Sequence, residues 1–243
     1  MTQTTESRVT DAAYFVQGLL DGIPICLGYL AVSFAFGIQA TSMGLSVFEA
    51  TLISITNVTS AGQFAGLSVI ASCGSYLEMA GVQFIINLRY MLMSAAISQK
   101  LSPKVSTGKR MLMACGMTDE IFGICISRPR ELVPSYCYGA TVISVAGWVL
   151  GTFLGAFSGE LLPHSLSEAL GVALYGMFIA IVVPVARENR AVLITAIIAM
   201  ALSTLFSFAP LLSAISPGLR IILVTLITAG AAALLFPIEI KEA

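Results

Sequence analysis

In this chain of 243 residues, charged residues make up 10%, hydrophobic residues 57%, and mean hydropathy is +0.93. Soluble proteins of this size carry about 25% charged residues, so the composition disfavours one soluble domain and favours about six to eight membrane crossings. A net charge of −1 leaves no basic surface, which argues against nucleic-acid binding.

Residues 1–18 read as a polar N-terminal segment, with no basic, apolar and cleavage-site succession that would mark a signal peptide. The first apolar segment is therefore expected to remain in the mature protein. It runs from about Leu19 to Met43 and carries Pro24, which fits either a first helical turn or a kink. Segment two, about Val47 to Ser72, is apolar at both ends and polar in the middle, through Thr56-Asn57-Val58-Thr59-Ser60-Ala61-Gly62-Gln63. That composition suits an interrupted helix whose unwound backbone is satisfied by protein or cavity water; a continuous helix with its polar groups bonded to neighbours is the alternative. Segment three, about Tyr76 to Gln99, contains Arg89, which either snorkels to an interface or finds an acid, Asp119 or Glu120, inside the membrane.

The loop Lys100–Arg110 holds four basic residues and no acid, and is cytoplasmic by the positive-inside rule. Segment four, over 111–127, places Asp119 and Glu120 beside Gly116 in an apolar run that ends at Arg128-Pro129-Arg130. With basic residues on both flanks it either enters and returns on one side or crosses as a plain helix. Pro134–Phe157 follows with Gly147, Gly151 and Gly155 at the small-residue spacing that lets membrane helices approach closely. The loop Ser158–Glu168 reads as external and contains His164, the single histidine, as a loop residue. Segment six (about Ala169–Ala186) returns to a cytoplasmic Arg187–Arg190. Segments seven (about Ala191–Phe208) and eight (about Leu219–Phe236) then form a return pair that leaves the C-terminus inside.

The expected fold is thus an all-α polytopic membrane protein with about six to seven transmembrane helices plus interrupted or re-entrant segments. It forms one integral-membrane transporter domain over 1–243. The orientation of the N-terminus depends on whether segment two crosses, and no internal repeat is evident.

No H-E-x-x-H, G-x-S-x-G or Walker loop is present, so the chain is not read as an enzyme. The five cysteines are scattered and read as small buried hydrophobes, and neither a metal nor a cofactor is expected. Ionisable groups at membrane depth cost about 2.5–3.5 kcal/mol each on insertion scales. Their placement at Arg89, Asp119 and Glu120 therefore marks a candidate site. A zwitterionic solute needs a cation for its carboxylate and an acid for its ammonium, and these three residues supply both. Asn57, Ser60 and Gln63 add polar groups, with Pro24, Gly62 and Gly116 as candidate breaks or hinges. A desolvated acid also suits proton coupling. In the competing reading, Arg89 and Asp119 only neutralise each other and hold helices in register. Other rivals are a channel-like or scaffold subunit without coupled transport, and a transporter of another small zwitterion or an organic acid.

A set of stretches in order resembles the AzlC-type branched-chain amino acid permeases. They are Asp21–Pro24, Gly28-Tyr29, Phe36-Gly37, Gln63-Phe64, Asn87-Leu88-Arg89-Tyr90, Gly116–Glu120 and Gly151–Gly159. The resemblance runs through about Gly18–Gly159 and rests on the order and spacing of the set. It implies export of branched-chain amino acids, with methionine among the substrates, across a bacterial inner membrane. It also implies a small, separately encoded AzlD-type membrane subunit as partner. Two departures stand out. Tyr90 replaces the family's usual His after Arg89, which removes any proton role of that His. Ser60 replaces a usual Gly, which moves the expected hinge to Gly62.

Overall fold

The computed structural model describes residues 10–129, 131–159, 179, 182–209 and 215–236. Its elements there are helices, and one isolated bridge joins Leu101 to Leu132. In chain order they are α1 (Asp11–Ser42), α2 (Val47–Thr56), α3 (Ala61–Ala71), α4 (Tyr76–Lys100), α5 (Thr107–Cys115), α6 (Asp119–Ile126), α7 (Pro134–Gly159), α8 (Arg190–Phe208) and α9 (Pro217–Leu235). Five of them, α1, α4, α7, α8 and α9, are long and apolar enough to cross a membrane. Most of segment six, the loop with His164 and the C-terminal residues 237–243 lie outside the described residues. Contacts divide the chain into two units, Met1–Thr59 with Leu88–Leu162 and Ser60–Asn87 with Pro163–Ala243.

The first unit is built on α1 and α7. Gly147, Gly151 and Gly155 of α7 rest on the backbone of Cys26, Leu30 and Phe34 of α1, and Gly159 on that of Ile38. Both rows advance four residues at a time, so the two helices run parallel. A Cβ at Gly155 would collide with the Phe34 carbonyl oxygen, and one at Gly139 with that of Phe15. Lipid tails are as apolar as leucine, so helices in a membrane gain cohesion from this kind of close backbone packing rather than from expulsion of water.

Two expectations for α1 are corrected. The helix begins at Asp11, because the Thr10 side chain caps it by accepting from the Ala13 N–H; the apolar stretch from Leu19 marks the lipid-facing portion, not the helix. Pro24 consequently sits deep inside α1 and not in its first turn, and the helix continues past it without interruption. Packing holds the helix together on both sides of it, through Gly22 on Ala140 and Cys26 on Gly147.

The same unit fixes the course of segment four. The Leu132 N–H donates to the Lys100 carbonyl at 3.0 Å, and the Lys100 ammonium donates to the Ile126 carbonyl. The end of α4, the end of α6 and the approach to α7 therefore lie together. α5 and α6, of 9 and 8 residues, are each about 12–14 Å long, far short of a bilayer core. They go in and come back: segment four is re-entrant. Arg110 braces its mouth by donating to the carbonyls of Ser98, Val105 and Ser102. At the same end the Arg128 guanidinium lies 3.7 Å from the Asp21 carboxylate and over the Tyr136 ring, while the Tyr136 hydroxyl donates to Asp21 at 2.8 Å.

This end carries Lys100, Lys104, Lys109, Arg110 and Arg128 and is cytoplasmic by the positive-inside rule. The parallel course of α1 and α7 puts the start of α1 at the same, cytoplasmic end. α2 approaches from the other end: Ser46 caps it in a capping box with Glu49, and Ser54 bonds to Thr152 in the outer half of α7 at 2.7 Å. Segment two is interrupted, with α2 ending at Thr56 and α3 starting at Ala61. Gly62, the expected hinge, lies buried inside α3, and the positive backbone angle of the break falls on Ser60, with φ +48° and ψ −93°. The left-handed backbone is needed where α3 is initiated, one residue before the helix, whereas Gly62 is already helical.

The cysteines divide. Cys125 and Cys137 are buried with their sulfurs 2.8 Å apart, whereas Cys73 and Cys115 are exposed, contrary to a uniform buried role. Hydropathy says nothing about which face of a helix a small residue occupies.

In the second unit α3 packs against α9, and α9 against α8, around Ala65, Val69 and Val82. The Gly218 N–H donates to Glu78 at 2.9 Å, and Gln83 links the Gly62 carbonyl, 2.7 Å away, to Asn87 at 3.1 Å.

Single cysteines placed at Lys104, Arg128 and Ser46 in a cysteine-free background test this topology. A membrane-impermeant maleimide should label the first two only from the cytoplasmic side and the third only from the opposite side.

Candidate functional site

The turn between α5 and α6 is the centre of the site. Gly116 ends α5, and a side chain there would strike Thr141 of α7. Thr118 is the N-cap of α6, its hydroxyl accepting from the Ile121 N–H, and Asp119 and Glu120 fill the first helical turn. Free N–H groups and the helix dipole favour negative charge at this position, which is the local reason the sequence places both acids there.

Depth follows from the partners. The Tyr29 hydroxyl lies 2.5 Å from a Glu120 carboxylate oxygen and 2.6 Å from Thr118 Oγ1, while Arg128, at the far end of α6, pairs with Asp21. Tyr29 and Asp21 are eight residues, or about 12 Å, apart along α1. The acidic turn thus sits well inside the span, beside Trp148 in the middle of α7, whose ring meets that of Tyr29 edge-on at 5.3 Å and 80°.

Arg89 of α4 forms an ion pair with Asp119, and its guanidinium lies 5.0 Å from the Tyr90 ring centre and donates to the Tyr90 hydroxyl at 3.3 Å. Both members of the pair keep about half of their side-chain surface exposed, 41% and 48%. The pair cancels its own charge. Glu120 lies outside that pair, its carboxylate accepting from the Tyr29 hydroxyl. On α7, Trp148 Nε1 and, one turn earlier, Ser144 Oγ are buried with no hydrogen-bond partner among the described residues, a condition that costs about 1–3 kcal/mol per group unless water or a solute meets it.

The sequence-predicted residues divide between the units. Arg89, Asp119 and Glu120 come together in the first, where Asn57 ends α2 three residues beyond Ser54. Ser60 and Gln63 belong to the second unit, where Gln63 is buried at the start of α3. Tyr29, Thr118 and Trp148 were not singled out as site residues. Thr118 carried a readable signal, a threonine immediately before two acids and an apolar run. The other two did not, because an aromatic in an apolar span reads as packing. Among the described residues, no three of His, Cys, Asp and Glu are grouped so as to hold a metal ion.

Parallel packed spans, helices broken inside the membrane and a charged turn at depth define a polytopic α-helical membrane protein with an intramembrane polar site. The family model described as AzlC protein matches residues 24–162, and the chain belongs to the AzlC family. It is 29% identical over 216 residues to the inner membrane protein YgaZ of Escherichia coli K12, covering 85% of this chain and 88% of that one. An uncharacterized membrane protein of Archaeoglobus fulgidus is 30% identical over 72% of this chain and 78% of its own. The branched-chain amino acid transport protein AzlC of Bacillus subtilis is 23% identical over 65% of this chain and 63% of its own. No solved structure matches the chain. The protein is a multi-pass inner-membrane protein.

Three single substitutions and one double variant test the local energetics. Ser60→Gly should raise stability by about 1 kcal/mol, because glycine adopts the positive φ without strain; a higher thermal midpoint in detergent is the expected reading. Arg89→Gln and Asp119→Asn should each cost about 1–2 kcal/mol by leaving a charge unpaired, less than a fully buried pair would. The double variant should recover at least about 1 kcal/mol of the summed loss in a thermal double-mutant cycle.

Proposed function

We propose that the chain is a secondary transporter exporting branched-chain and related apolar amino acids, valine, leucine, isoleucine and methionine. In this reading it is the large subunit of a two-component system with a small AzlD-type membrane protein, driven by protons. The carrying observation is the Arg89–Asp119 pair at the turn of a re-entrant segment. Splitting an ion pair at depth leaves two unpaired charges, but a zwitterion inserted between the partners satisfies both: its carboxylate takes Arg89 and its ammonium takes Asp119. A solute with a single charge satisfies only one of them. Phe122, half-buried two residues after Glu120, gives an aliphatic side chain an apolar neighbour. The name of the Bacillus subtilis relative supports the substrate class.

Efflux of preloaded labelled valine, leucine and methionine from proteoliposomes tests the reading, with and without the small subunit and an imposed proton gradient. Saturable, gradient-dependent efflux that requires the small subunit is expected. Unsaturated, gradient-insensitive flux would make the protein a channel, and absence of flux for all three solutes would remove the assigned substrates.

A further inference from the structure

Within the transport reading above, the two acids of the turn are not equivalent. Asp119 is committed to Arg89, so protonating it would strand a guanidinium at membrane depth. Glu120 has no such obligation. Its carboxylate oxygen accepts from the Tyr29 hydroxyl at 2.5 Å, and the same hydroxyl lies 2.6 Å from Thr118 Oγ1. Tyr29 has one proton and two acceptors for it. The groups around Glu120 are Tyr29 on α1, Arg89 and Tyr90 on α4, and Thr118 and Asp119 beside it on the α6 turn. α7 presents Trp148 behind Tyr29, which does not titrate.

We propose that Glu120 is the proton-carrying group of the transporter and that Tyr29, turning its single hydroxyl proton between Glu120 and Thr118, is the positioning residue that registers its state. With Glu120 ionised, Tyr29 donates to it. When a proton arrives from the outer aqueous phase, one O–H bond forms on the carboxylate to give the neutral acid. Tyr29 keeps its own proton and swings it to Thr118 Oγ1, and the new acid hydroxyl donates to the tyrosine oxygen. Release of that proton to the cytoplasmic water restores the first arrangement. In each state the Tyr29 hydroxyl donates one hydrogen bond and the Glu120 carboxyl stays bonded to Tyr29, while the Arg89–Asp119 pair is undisturbed, so the solute-binding pair and the proton site operate side by side. Because α6 is tied to α1 at Tyr29 and again at Asp21 through Arg128, a change at Glu120 bears directly on how α6 seats against α1.

The experiment uses the full chain with its small subunit in proteoliposomes. It compares net valine efflux under a proton gradient with gradient-free exchange of labelled for unlabelled valine. For Glu120→Gln, gradient-driven efflux should fall at least tenfold while exchange persists at a reduced but measurable rate, and Glu120→Asp should restore part of the gradient response. Gradient-driven efflux that survives in Glu120→Gln overturns the proposal and leaves the exporter reading intact. Loss of exchange together with efflux also overturns it, because Glu120 would then belong to solute binding. Wild-type protein without gradient-driven efflux removes both. If Glu120→Gln is not recovered from membranes, Tyr29→Phe decides. Loss of the donor to the charged carboxylate should move the pH profile of gradient-driven efflux toward higher pH, and an unmoved profile overturns the proposal.

Discussion

Three ionisable groups held inside an apolar span set the terms for the rest of this fold. Each costs about 2.5–3.5 kcal/mol on insertion scales unless something nearby compensates it. The arrangement around α6 supplies that compensation in three ways. A helix N-terminus faces the acids, Arg89 cancels Asp119, and the Tyr29 hydroxyl, itself within bonding distance of Thr118, donates to Glu120. A single transmembrane helix offers none of the first kind, because its N–H groups are spent on its own carbonyls. Breaking segment four at Gly116–Thr118 releases a set of N–H groups at the depth where the acids sit.

Such a break survives only if the elements around it are rigid. The parallel pair α1 and α7 provides that rigidity by backbone-to-backbone contact along the glycine ridge from Gly139 to Gly159. Thr141 rides on the same helix and presses on Gly116, so the turn is pinned by the element that also carries Trp148. At the cytoplasmic end Lys100, Arg110 and Arg128 spend their charges on carbonyls and on Asp21, and they close the mouth of the re-entrant pair. Packing and electrostatics therefore converge on one object, a short helix tied at its deep end to α1 and α4 and at its shallow end to α1 and the end of α4.

Two of the buried groups left without partners among the described residues lie on α7. Trp148 Nε1 belongs to the ring that meets Tyr29, and Ser144 Oγ stands one turn before it on the helix. An unsatisfied donor on the ring that meets Tyr29 makes this part of the first unit one where polar matter, water or solute, gains by entering. α2 ends nearby on the outer side, where Ser54 joins Thr152, so the polar layer continues along α7 beyond the acids.

Much of this was legible in the chain itself. Hydropathy marks the spans, because lipid selects for side chains one at a time; the polar interruptions at 56–63 and 116–120 mark the breaks, because unwound backbone needs polar company; and the basic flanks mark the cytoplasmic end. Even the partner of Arg89 was confined to two candidates by charge alone. The tertiary structure decided the rest. It chose Asp119 over Glu120, paired Glu120 with a tyrosine 91 residues away, made segment four re-entrant through the Lys100–Leu132 contact, and put the positive backbone angle of the break at Ser60. The physical reason is one of range: burial in lipid acts on each residue separately and leaves its trace in composition. Pairing, direction and hinge geometry are properties of two helices at once, and they exist only when α1, α4, α6 and α7 have come together.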